Sequence, residues 1–255
     1  MSDEGRPCPH SRGRVAARAA LALLLVVAVS AACQPPAPPE GWEQSYLTRS
    51  FDDVALVQPT SADSVRIVAP WQNSGTNDNR VVLDRTDAPL SNDQTSCATA
   101  WSNGGWPSQE GVAVRILTQG ERTRAVTVTK NVWGNATSVY VVHHWDTARS
   151  DGFGQLAAFD MSEVLGANDS SSPDTARRLC TRVKGPELSF KVWPAREPEP
   201  SWSDAAYVRE VWLPDAARHS GRPGWYSAHL PPGTQQELTE MWTSTEDAPG
   251  TPVVK

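Results

Sequence analysis

The sequence is short of several things that would have assigned it quickly. Its longest apolar run, Ala19 to Cys33, has 15 residues, fewer than a helix needs to cross a bilayer. It has only four cysteines, too few for a disulfide-dense mini-protein, and no further ligands sit at zinc spacing beside them. Basic residues are outnumbered, with a net charge of −6. The first 32 residues carry four arginines against Asp3 and Glu4, a net +2, which leaves −8 for the rest. An acidic chain argues against nucleic acid and against anionic lipid surface as general partners. No internal repeat is visible.

Catalytic signatures are missing too. Glycoside hydrolysis needs paired carboxylates to protonate the leaving group and to attack or activate water, and no Glu-x-Asp-x-Glu run exists. Glu197 and Glu199 are two apart, but Pro198 and Pro200 flank them in what reads as a loop. There is no Gly-x-Ser-x-Gly elbow, and His219 and His229 have no evident partner for a triad. The sequence therefore reads as non-catalytic.

What is present begins with an export signal. Arginines in "RGRVAAR" precede "AALALLLVVAVSAAC", the layout of a signal peptide over residues 1–32. Ser30, Ala31 and Ala32 before Cys33 resemble the lipobox of bacterial lipoproteins, with Ser30 where that motif has a larger aliphatic residue. The resemblance implies acylation of Cys33 and an anchor at the outer face of the membrane; plain secretion after cleavage at Ala32 is the other outcome. "QPPAPPE" follows. With Cys33 it forms a stiff tether over residues 33–41, rising roughly 3 Å per residue. Cys8 leaves with the signal, so Cys97 and Cys180 remain as an even pair in an oxidising compartment and are expected to form a disulfide.

From residue 42 to 243 the pattern has period two. "RAVTVTK" alternates Val126 and Val128 with Thr127 and Thr129, and "SVRIVA", "RVVLDR", "GVAVRILT", "SVYVVHHW", "YVREVWL" and "GWYSAHL" are further short β-rich runs. Gly, Pro, Asn and Asp clusters separate them. This predicts an all-β antiparallel sandwich with one or two short helices, followed by a loose tail over 244–255. "TQGERT" around Gly120 reads as a hairpin turn. "DMSEVLG" reads as a short helix, with Asp160 and Glu163 as a capping box and Gly166 as its stop. "SPDTARRLCTRVKG" fits a helix capped by Ser172, but the strand reading is preferred. Leu179, Thr181 and Val183 then share a face, and Leu188, Phe190 and Val192 form the second arm beyond "KGPE".

That hairpin and the segment "KVWPAREPEPSW" resemble the closing third of concanavalin-like and laminin-G-like jelly rolls in secreted bacterial lipoproteins of the actinobacterial type. The residues that carry the likeness are Gly185, Trp193, Pro194, Ala195, Glu199, Pro200 and Trp202, with Arg196 departing from the pattern. "GRPGWYSAHLPPG" resembles the penultimate strand and "QELTEMW" the last. The prolines suit a strand exit because they cannot donate to a ladder, and Trp193 and Trp202 are expected to cover the open end of the sandwich. The resemblance implies a fold that hosts lectins, glucanases and adhesion modules alike.

All 11 tryptophans lie after the signal. Trp101, Trp106, Trp133 and Trp145 sit in or beside runs of small polar residues. An exposed indole offers a flat apolar face to sugar CH groups, while Asn, Asp, Gln and His take the hydroxyls. The sequence thus nominates a glycan-binding surface of Trp106, Trp133, His143, Trp145 and Asp146, with carbohydrate or cell-wall polymer as partner. An adhesion module with a protein partner, or an enzyme whose site has no recognisable motif, are the alternatives. His143 and His144 point to opposite faces of one strand, so they do not share an ion. No cofactor is implied. Calcium is compatible with the fold resemblance, but "TNDN" and "ANDSSSPD" lack a diagnostic spacing.

Overall fold

The computed structural model describes residues 37–48, 53–75, 78–104, 107–131, 138–166 and 175–245. Two seven-stranded antiparallel sheets face each other. The first runs, edge to edge, β1 (Trp42–Thr48), β4 (Arg80–Arg85), β13 (Arg222–Ala228), β6 (Gln109–Gln119), β7 (Arg122–Lys130), β8 (Val139–Asp146) and β9 (Phe153–Asp160). The second runs β12 (Val208–Trp212), β11 (Glu187–Pro194), β10 (Arg177–Lys184), β5 (Gln94–Ser102), β14 (Gln235–Thr245), β3 (Ser64–Val68) and β2 (Leu56–Ser61). This is the concanavalin-like jelly roll that the alternation and the C-terminal resemblance led us to expect.

The core between the sheets is built from alternate positions. Val81 and Leu83 of β4, Val112 and Val114 of β6, Val126 and Val128 of β7, and Trp225 of β13 meet Leu179, Leu188, Phe190, Val192 and Leu238 of the second sheet. Each such side chain contributes roughly 1.5–3 kcal/mol on burial. The intervening residues of the first sheet form a second apolar cluster on its outer face, with Val82, Ala113, Ile116, Ala125, Trp145 and Tyr226.

The hairpin at Gly185 is as expected: β10 pairs with β11 from Arg177↔Pro194 to Lys184↔Glu187, and Gly185 takes the positive φ of 53° that its turn requires. Ser172 lies outside the described residues. The turn at Gly120 joins β6 to β7. The short helix, α1 (Ser162–Leu165), is present, but the capping box is incomplete. Asp160 accepts from the Ser162 N–H at 2.8 Å, while Met161 stands at the N-cap and offers no side-chain acceptor.

Trp193 and Trp202 differ from expectation. They pack against the Cys97–Cys180 disulfide, together with Tyr207, in a cluster separate from the main core. Lys191 and Trp193 alternate with the core-facing Phe190 and Val192, so the cluster lies on the outer face of the second sheet and not at the sandwich end. The proline-rich segment folds back over that face because Lys191 Nζ donates to Glu199 Oε1 and to the Pro200 carbonyl, at 2.7 and 2.6 Å.

Candidate functional site

Of the five residues nominated for a glycan surface, Trp106 and Trp133 lie outside the described residues. The other three sit at or near the end of β8. His143 and Trp145, two apart, share the outer face of the first sheet. Their ring centres are 5.5 Å apart, and Phe153 of the neighbouring β9 lies 5.5 Å from His143 and 4.9 Å from Trp145.

Trp145 needs correction as an open platform. It is only 2% exposed. Its indole N–H donates to Thr127 Oγ1 at 2.9 Å, and its ring lies 6.3 Å from that of Tyr226. A ring closed on these sides packs the outer cluster. Asp146 is occupied as well. Arg122 grips both its oxygens, at 2.8 and 2.6 Å, and these hydrogen bonds hold its carboxyl down at about 2. His143 is held neutral, its pKa lowered to about 4 by burial and then by the Arg80 guanidinium. Tyr226 donates to Gln109 Oε1 at 2.8 Å. Trp145 and Asp146 thus both spend their polar atoms on neighbours within the outer face.

A different indole faces solvent. Trp71, between β3 and β4, is 80% exposed. It stands where three connections meet at one end of the sandwich. The Ala69 N–H donates to the Thr234 carbonyl at 2.9 Å and the Gly233 N–H to the Ala69 carbonyl at 2.7 Å. In the β5–β6 connection, Asn103 exchanges hydrogen bonds with Gln235, donating from its N–H at 3.1 Å and accepting on Oδ1 at 2.7 Å.

The Trp71 loop is held firmly. Asn73 accepts from the Val54 N–H at 3.1 Å and donates back to the Val54 carbonyl at 3.0 Å, while Ser74 N–H and Oγ both donate to Asp53. One side of the indole rests on Gly233. A Cβ there would come within 2.3 Å of the ring, and its φ of 77° also favours glycine. In sequence the indole is followed by Gln72, Asn73 and Ser74. "PWQNSG" has the composition that singled out "WSNGGWPSQ", so the signal was in the sequence; what hid it was the lack of any measure of exposure. Among the described residues no group of three or more His, Cys, Asp or Glu side chains is arranged to hold a metal ion.

No protein-family model matches this sequence, and no curated protein matches it. Solved structures do. A protein of unknown function with a galectin-like fold from Bacillus subtilis aligns with a TM-score of 0.50 at 8% identity, over 80% of this chain and 89% of its own. The calcium- and Man3GlcNAc-bound exoplasmic/lumenal domain of VIP36 aligns with a TM-score of 0.48 at 12% identity, over 86% and 90%. A substrate complex of a family 7 alginate lyase gives 0.46 at 9%, over 76% and 83%. At such identities the likeness concerns the fold alone.

Proposed function

We propose that this protein is an exported, non-catalytic carbohydrate-binding jelly roll, anchored to the cell envelope through an acylated Cys33. The observation that carries the glycan reading is Trp71. It is an indole carried on a hydrogen-bonded loop, with one side on a glycine backbone and the rest open to water. Stacking on such a face is how apolar ring surface and sugar CH groups meet, and the fixed loop reduces the ordering cost of binding.

The test is calorimetric titration of the full chain and of Trp71→Ala with soluble cell-wall glycan fragments. The expected result is measurable binding by the wild type and at least tenfold weaker binding by the variant, with an unchanged melting temperature because the removed ring is exposed. Equal binding by both proteins, or none by the wild type to any envelope glycan, overturns the reading.

A further inference from the structure

Two histidines have no part in the glycan site. His144 of β8 points inward, opposite to His143, and is 6% exposed. His219 lies in the connection between a short 3-10 turn (Asp215–Ala217) and β13. Their ring centres are 6.4 Å apart, and each keeps a buried Nε2 with no hydrogen-bond partner. An unpartnered buried polar atom is costly, and here two neighbouring rings each carry one.

We propose that His144 and His219 form a two-ligand site for one monovalent soft metal ion, Cu(I). The tautomer of His219 supports this. Its Nδ1 lies 3.1 Å from the Ser220 carbonyl, so the N–H there donates to it and Nε2 presents a lone pair. That is the arrangement by which metal-binding histidines are oriented. The spacing supports it too. A direct N–H···N bond of about 3 Å would bring the ring centres to roughly 5 Å. Two metal–imidazole bonds of about 2 Å set end to end hold the centres at roughly 6 Å.

Ligand count and charge select the ion. Among the described residues no third His, Cys, Asp or Glu completes the pair, which excludes a closed tetrahedral zinc site. The charged groups facing the pair are Arg124 toward both rings, Arg115 toward His219, and Arg149 and Asp146 toward His144. Arg149 is itself paired with Asp151 and Asp146 with Arg122, so the positive field comes from Arg124 and Arg115 and opposes a divalent ion more than a monovalent one.

The experiment uses the full chain with Cys8→Ser and Cys33→Ser, which leaves Cys97 and Cys180 tied in their disulfide. Anaerobic titration with Cu(I) against a chromogenic chelator is expected to give one equivalent bound. His219→Ala and, separately, His144→Gln should each weaken binding at least tenfold, while His229→Ala leaves it unchanged. His219 lies in a connection, so its variant keeps the strand spectrum even if the buried His144 change does not. Copper X-ray absorption should show two nitrogen neighbours at about 2 Å. Unchanged affinity in a folded His219→Ala variant, or no binding by the parent chain, overturns the proposal. Trp71→Ala should bind copper normally, so failure of the glycan reading leaves this one to stand or fall alone.

Discussion

Asp84 shows how a single residue can set the pH response of the whole domain. It lies on β4 directly opposite Glu43 of β1, it is 1% exposed, and its Oδ1 has no hydrogen-bond partner. Arg222 reaches both acids, at 3.0 Å from Glu43 and 3.3 Å from Asp84. Burial first, and Glu43 second, push the Asp84 carboxyl up to about 7. The folded state therefore holds a proton that the unfolded chain releases near pH 4. Between those values the unfolded state binds fewer protons, so stability is full below about pH 4 and is lost as pH rises through 7. The loss is a few kcal/mol at most, since each pKa unit is worth about 1.4 kcal/mol. Asp84→Asn, which imitates the protonated side chain, should melt higher than the wild type at pH 8 and match it near pH 4. A wild-type melting temperature that differs from that of Asp84→Asn by the same amount at both pH values would count against this account. None of this was legible in the sequence, where "LDR" reads as an ordinary strand end. The carboxyl is perturbed only because cross-strand pairing sets it beside Glu43 and the neighbouring side chains exclude water.

At the scale of elements, the β10–β11 hairpin is tied to β5 by strand pairing and by the Cys97–Cys180 disulfide. Cys97 and Cys180 stand directly opposite each other on adjacent strands. The outer face over them is sealed by Trp193 and Trp202, with Lys191 Nζ lying 4.6 Å from the Trp202 ring centre and Arg182 Cζ at 4.3 Å. The bridge spans 83 residues, so most of its effect lies in restricting the unfolded chain, with about 4–5 kcal/mol as the ceiling of the entropy model and 2–4 kcal/mol the usual outcome. Replacing both cysteines with alanine should lower the denaturant-derived stability by about that amount and redden the tryptophan emission as Trp193 and Trp202 loosen. A double variant with an unaltered midpoint would mean that strand pairing alone holds β5 to β10. The hairpin was legible because its two arms alternate about a Gly-Pro turn, and the cysteine pairing because Cys97 and Cys180 are the two cysteines beyond the N-terminal segment. Where the two indoles go was not legible. A strand's alternation says that Trp193 and Phe190 face opposite ways, but not which face meets the other sheet or what a returning loop will cover.

For the molecule as a whole, the proposed export and anchoring rest on the N-terminal segment, which the described residues do not include. Exchange of Cys33 for alanine should shift the protein from the membrane fraction to the soluble exported fraction, with the Cys97–Cys180 bridge still formed. Retention in the membrane fraction would show that something other than an acyl chain holds it there. The candidate glycan end is also a property of the whole molecule. Trp71, Asn103 and Gly233 come from three connections far apart in sequence, joined by the hydrogen bonds between residues 69, 103, 233, 234 and 235.

Local chemistry by itself determined the class of fold, because side-chain alternation, turn residues and the absence of long helical periods are written residue by residue and act over a few neighbours. It also pointed to Cys97 and Cys180 as partners, since they are the two cysteines outside the N-terminal segment. Only the tertiary structure decided which indoles meet water and which histidines meet each other. Exposure and pairing depend on what the rest of the chain brings to the same place: Trp145 is closed over by Phe153 and Tyr226, Trp71 is lifted onto Gly233, and His144 is set beside His219 from 75 positions further along the chain.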